Sequence, residues 1–200
     1  MTAETELSDS ELLDLMNSGH EEGLTALYRR RARDVHRFAL QMCGSQALAD
    51  DVTQEVFMSL IHERQNYDPA KGTLHAFLLG VARNHVLRRL RRERFYLSID
   101  ENAEEHNSKA DDSGPLENFS RGETIESVRS AILTLPERYR EVVVLCDLQE
   151  LSYQEAAAVL GCAVGTVRSR LHRARSLLIE KLRPSREDET AEVKSARCFA

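Results

Sequence analysis

Apolar residues recur three and four positions apart over most of the chain, and no run of β-branched residues alternates with polar ones, so the pattern predicts an all-α protein. Helices are expected near Ser10–Ser18, Glu21–Cys43, Ala47–Arg64 and Leu74–Phe95 in the first half. A second set is expected near Glu123–Leu133, Glu137–Leu148, Tyr153–Leu160 and Val164–Leu182. Asp68-Pro69-Ala70-Lys71-Gly72 interrupts the first set as a turn, and Thr73 is placed to N-cap the helix after it. From Ser98 to Ser120 the chain is acidic, polar and poor in large apolar groups, a composition suited to a linker. The expected layout is two small helical domains joined by a flexible acidic linker. An acidic segment over 1–20 precedes a first domain over 21–97; the linker over 98–122 leads to a second domain over 123–183 and a polar tail over 184–200.

Charge changes this picture. The 200 residues carry a net charge of -6, which superficially disfavours a nucleic-acid partner. Yet Arg83 to Tyr96 holds six arginines against one acid, Glu93, and Gly165 to Arg183 holds six basic residues against Glu180 alone. Acids gather elsewhere, in Glu4 to Glu22 and in Ser98 to Ser127, where nine face only Lys109 and Arg121. Such sign asymmetry points to surfaces with different partners.

The segment Leu151 to Leu171 reads as a helix-turn-helix. Ser152 caps the first helix with Glu155 three residues on, small Ala156 and Ala157 admit a neighbouring helix, and Gly161 suits the turn. On the second helix Val164, Val167, Leu171 and Leu178 face the core. Thr166, Arg168, Ser169, Arg170, His172 and Arg173 point largely outward, a polar face of the kind that enters a major groove.

In the first half, Asp51, Gln54 and Glu55 share one exposed helix face at i, i+3 and i+4, while Val52, Val56, Phe57 and Leu60 turn to the core. That acidic patch is either a solvated face or a dock for a basic protein. The helix from Leu74 ends in Arg88, Arg89, Arg91, Arg92 and Arg94, which repel one another unless a polyanion lies alongside. Ahead of it, the loop Gln65 to Gly72 offers amide, aromatic and basic groups of the kind that hold an unstacked base. Tyr67 fits base contact or a loop anchor equally.

Several classes are excluded as expectations. The apolar run Val142 to Cys146 is far short of a membrane span, and Met1 to Ser10 is unlike a signal peptide, so the chain is expected in the cytoplasm without membrane insertion. Cys43, Cys146, Cys162 and Cys198 form no C-x-x-C pair, so no metal site or cofactor is expected. No phosphate loop, nucleophile with its base or ligand cluster supports an enzyme.

Five motifs stand in order: Ala49-Asp50-Asp51-Val52-Thr53-Gln54-Glu55-Val56-Phe57, Tyr67 to Gly72, Phe77-Leu78-Leu79-Gly80-Val81-Ala82-Arg83-Asn84, Leu135-Pro136-Glu137-Arg138-Tyr139-Arg140-Glu141-Val142, and Gly165-Thr166-Val167-Arg168-Ser169-Arg170-Leu171-His172-Arg173-Ala174-Arg175. Together they resemble the extracytoplasmic-function sigma factors of bacterial RNA polymerase over about Glu21 to Leu182. The resemblance implies a sigma-2 domain that holds the polymerase clamp and opens the minus-10 element, and a sigma-4 domain that reads minus-35 duplex. Asp51, Gln54 and Glu55 would then meet the clamp coiled coil. Asn66, Tyr67, Lys71, Arg83, Asn84, Arg88, Arg91 and Arg92 would hold minus-10 DNA. Arg168, Ser169, His172 and Arg173 would face minus-35 bases, with Thr166 and Arg170 bracing the backbone. The implied partners are core polymerase, through its clamp and flap, promoter DNA both duplex and melted, and an anti-sigma factor. One departure is Phe77, where the family often has Trp; the chain has none. The rival expectation is a stand-alone helix-turn-helix regulator that binds paired half-sites as a dimer.

Overall fold

The computed structural model describes residues 7–62, 67–99 and 119–183, with side chains apart from those of 94–99 and 119–123. These form eight α-helices: α1 Asp9–Asn17, α2 Glu21–Cys43, α3 Gln46–His62, α4 Leu74–Ile99, α5 Phe119–Leu133, α6 Glu137–Val143, α7 Tyr153–Leu160 and α8 Val164–Leu182. A short 3-10 turn, Pro69–Lys71, leads into α4, and a π turn, Val144–Leu148, extends α6. No described residue lies in a strand.

Three helices, α2, α7 and α8, coincide with expectation at both ends, and local chemistry explains why. Ser152 and Glu155 close a reciprocal capping box on α7, and Gly161 ends that helix in the left-handed region at φ 62°. α1 begins one residue before its expected start because Ser8 and Glu11 form a second capping box. α4 runs to Ile99 and α5 starts at Phe119, so both reach into the segment expected as linker.

In the first domain α2, α3 and α4 pack around Leu27, Val35, Phe38, Val52, Val56, Leu78 and Val86, all at or near zero exposure. Burying each such side chain contributes roughly 1.5–3 kcal/mol. α1 closes one end of this bundle. A Cβ at Gly23 would sit 2.6 Å from the Leu12 carbonyl, so only glycine lets α2 approach α1 this closely. Arg30 and Arg31 then clamp Asp9 at 3.0 and 2.6 Å. In the second domain α5 to α8 enclose Leu135, Val142, Leu145, Val167, Leu171 and Ala174.

The two domains are also packed on each other. α4 meets α7, and α2 meets both α5 and the π turn. Across this seam Arg140 donates to the Met42 carbonyl at 2.6 Å, buried Gln149 donates to Gln41 at 3.1 Å, and Arg83 pairs with Glu141 at 2.6 Å. His75 lies here too, bonded to the backbone of Gln149, with its Nδ1 buried and unpartnered.

Two outcomes follow from these contacts. Ser152→Ala removes the cap of α7 and is expected to cost about 1 kcal/mol in urea unfolding. Burial, then the nearby Arg31 charge, holds the His75 pKa below its ordinary value. The unfolded chain therefore gains a proton near pH 6.5 that the folded chain does not, so stability falls as pH drops below about 6.5 until the folded imidazole also titrates. Urea unfolding of the wild type should lose more stability between neutral and mildly acid pH than that of His75→Leu; equal losses would rule out this origin.

Candidate nucleic-acid interface

On α4 the exposed polar side chains fall into a stripe. Asn84, Arg88 and Arg91 follow at i, i+4 and i+7, joined by Arg92, and all four are exposed. The stripe leaves a cleft of about 300 Å³ whose lining includes Tyr67, Lys71, Phe77, Gly80 and Asn84. The loop ahead of α4 builds the cleft mouth. Asp68 caps the 3-10 turn through the Ala70 N–H at 3.0 Å and pairs with Lys71 at 3.5 Å. Tyr67 is half-buried: its hydroxyl donates to the Gly72 carbonyl at 3.3 Å, and its ring leans on Phe77 with centroids 5.5 Å apart. It is thus a loop anchor that also forms part of the cleft lining. Asn66 lies outside the described residues.

Arg83 and Arg89 leave the stripe and turn inward. Arg83 donates to Glu141 across the domain seam, and Arg89 donates to Glu55 at 2.6 Å, where His85 also lies 2.6 Å away. Burial pushes the Glu55 carboxyl up, but Arg89 and His85 outweigh it and hold its pKa below the usual carboxylate value.

Of the acidic patch on α3, Asp51 and Gln54 are exposed, whereas Glu55 is half-buried by that pair. Gln54 also borders an open groove of about 830 Å³ between α2 and α3, walled by Leu24, Tyr28, Phe57, Met58 and Ile61. Tyr28 and Met58 keep about half their surface exposed, at 49% and 47%. Sequence reading found the acidic rim and missed the groove. Tyr28 shares the polar face of α2 with Arg29, and Met58 follows core residue Phe57, so neither breaks the helical pattern.

In the second domain the helix-turn-helix is α7 and α8. Arg168, Ser169, His172 and Arg173 are exposed, while Thr166 and Arg170 are half-buried at the flank. The Arg168 guanidinium lies 5.7 Å from the centre of the Tyr153 ring, a cation–π distance. Asp147 accepts two bonds from Arg175, at 3.1 and 2.6 Å, tying α8 to the π turn.

Fold and surfaces together define a two-domain helical DNA-binding protein with one basic surface in each domain. The sequence matches Sigma-70 region 2 over residues 27–96 and Sigma-70, region 4 over residues 125–178. It is 32% identical over 170 residues to the ECF RNA polymerase sigma factor EcfG of Rhodopseudomonas palustris, covering 83% of this chain and 86% of that protein. It is 34% identical to the ECF sigma factor SigC of Mycobacterium tuberculosis, with the same two coverages of 83% and 86%. It is 36% identical to SigE of Mycolicibacterium smegmatis, covering 83% of this chain and spanning 63% of that relative's length. CnrH, solved with the cytosolic domain of CnrY, superposes with a TM-score of 0.65 at 27% identity, covering 87% of this chain and 96% of CnrH. The chain belongs to the extracytoplasmic-function RNA polymerase sigma factors.

Among the described residues no helix is long and apolar enough to cross a membrane.

Proposed function

We propose that the chain acts by binding alone, in the cytoplasm, with its two basic surfaces divided between the two promoter elements. As a sigma factor it directs RNA polymerase to promoters and supports their opening. The observation that carries the division is the α4 stripe. A row of Asn84, Arg88, Arg91 and Arg92 emerging from an aromatic-lined cleft offers phosphate contact and base capture in one continuous track. α8 presents a second basic face suited to duplex, so melted minus-10 DNA falls to α4 and minus-35 duplex to α8. Tyr67, Lys71 and Asn84 hold flipped bases; Arg88, Arg91 and Arg92 follow the backbone, joined by Arg83 once it is released from Glu141. Capture of flipped bases makes opened DNA the lower free-energy state without nucleotide hydrolysis.

The groove between α2 and α3 takes the polymerase clamp. Its apolar walls supply contact area and its rim, Asp51 and Gln54, supplies polar complementarity; Glu55 acts through Arg89 and His85, which hold it in place. The second domain meets the flap, and an anti-sigma protein competes for these faces. The solved relative from Bartonella quintana, 24% identical and so a likeness of fold, was captured with the anti-sigma factor NepR. Co-elution of the purified chain with core polymerase on a sizing column tests the assignment as a whole.

Reversing charge at the rim should separate docking from folding. Asp51→Arg is expected to abolish or strongly weaken co-elution with core polymerase while shifting stability by no more than about 0.5 kcal/mol. A folded mutant that still co-elutes would remove Asp51 from the interface.

Arg173 and Arg170 lie about 60° apart on α8 by the helical repeat, and only the first is exposed, the second being half-buried. Arg173→Ala should lose discrimination at one minus-35 base pair, by roughly 1–3 kcal/mol. Arg170→Ala should weaken all minus-35 sequences about equally and flatten the salt dependence. Holoenzyme binding across single-base minus-35 variants at two salt concentrations reads both effects. A uniform loss in Arg173→Ala, or altered base preference in Arg170→Ala, would reverse the assignment.

A further inference from the structure

The arginines of α8 differ in what holds them from the side. Arg168 and Arg175 stand seven positions apart, so the helical repeat brings them within about 20° of one line along the helix. Asp147 of the π turn fixes Arg175 by accepting two bonds from it. Arg168 forms no ion pair among the described residues. Its guanidinium lies instead 5.7 Å from the ring centre of Tyr153, the first residue of α7. That ring is 36% exposed, so it sits at the surface and not in the core of the domain. Its place is set by α7 itself: the reciprocal cap of Ser152 and Glu155 fixes the start of the helix, and buried Ala156 and Ala157 hold it against the domain. A fixed aromatic face is therefore presented to one exposed arginine of α8. Among the described residues no other arginine of that helix has a ring against it.

We propose that Tyr153 is a positioning residue for minus-35 recognition, its ring steadying the Arg168 guanidinium for contact with a base edge. The proposal rests on the assignment of the α8 face to minus-35 duplex. The division of labour follows from the shape of a guanidinium. An aromatic ring interacts with its flat face, whereas a guanine edge takes the N–H donors around its rim. One arginine is thus able to stack and to read a base at the same time. A free arginine has many rotamers and must lose most of them to make a bidentate contact, and a stacked one has lost part of that freedom already. A carboxylate in place of the ring would compete for the same donors, as Asp147 does on Arg175. Two arginines near one line of α8 therefore have opposite roles. Arg175 secures the helix to the π turn, and Arg168 is steadied with its donors left free. Tyr153 touches no base in this scheme; it acts through Arg168.

The test uses holoenzyme reconstituted with the full chain, and duplexes carrying each single-base minus-35 variant. Tyr153→Phe keeps the ring and removes the hydroxyl; Tyr153→Leu keeps apolar bulk and removes the ring. Thermal unfolding by circular dichroism establishes that each variant is folded. Arg168→Ala first identifies the base pair that Arg168 reads, as the position where preference falls by at least about fivefold. At that pair Tyr153→Phe is expected to discriminate like wild type. Tyr153→Leu is expected to lose roughly two- to fivefold in discrimination, the equivalent of an exposed cation–π contact. Added to Arg168→Ala, Tyr153→Leu should narrow the preference no further. An equal loss in Tyr153→Phe would give the role to the hydroxyl and overturn the proposal. So would unchanged discrimination in Tyr153→Leu, a loss spread evenly over all variants, as a structural defect or a phosphate contact produces, or a selective loss that persists without Arg168. The underlying assignment is read from Arg168→Ala alone. If that variant alters no base preference, Arg168 is not a reader and the proposal falls with the assignment; a selective loss there, combined with any of the other adverse results, sinks the positioning and leaves the assignment standing.

Discussion

An acidic protein that presents arginines to DNA must give each of them a compensating anion, inside the fold or beyond it. Here the arginines are sorted helix by helix. On α4, Arg83 and Arg89 turn inward to Glu141 and Glu55, while Arg88, Arg91 and Arg92 stay exposed beside them. On α8, Arg175 is held by Asp147 while Arg168 and Arg173 remain at the surface. The inward pairs fix how each helix is rotated, and that rotation aims the outward arginines. The net charge of -6 is compatible with DNA binding because many of the acids are spent on pairs of this kind or lie away from the two stripes.

These pairs act through geometry more than through energy. Partly exposed pairs such as Arg89 with Glu55 contribute about 0–1 kcal/mol, too little to hold a fold that the buried apolar faces of α2, α3 and α4 already specify. Arg83 with Glu141 is more buried, so its Coulombic gain is largely offset by desolvation. What such a pair supplies is a constraint: once both partners are in the seam, separating them strands a charge unless another anion arrives.

Much of the fold was legible because its signals are local. Ser152 with Glu155, and Gly161 after Leu160, mark both ends of α7 within a few residues. Ser8 with Glu11 is an equally local signal, and it sets the start of α1 at Asp9, one residue before Ser10. The π turn was not legible, since Val142 to Leu145 are all buried and a fully apolar run carries no period. The ends of α4 and α5 were misplaced because polar, acidic composition near Ser98 and Ser120 argues against a core without excluding a helix. The exposed stripe on α4 followed from spacing alone, but the diversion of Arg83 and Arg89 did not. Their partners lie 58 and 34 positions away, and nothing local distinguishes them from Arg88. The domain seam was invisible for the same reason: Thr73 and Glu155 are each explained by their own helix cap, and only the tertiary fold brings them together.

α2 connects the groove to the seam. Over 23 residues it carries one wall of the α2–α3 groove, with Leu24, Tyr28 and His36, and also part of the seam, with Arg37, Gln41 and the Met42 carbonyl. His36 borders the groove and Arg37 bonds Gln149 at 3.5 Å, so adjacent residues of one helix face the groove and the second domain. A partner shifts a two-state equilibrium only by its difference in affinity for the two states. A partner that filled the groove would not by itself favour parted domains, because the groove is already open with the seam intact. Only contacts with groups that the seam occupies, such as Gln41, the Met42 carbonyl and Glu141, would supply that difference.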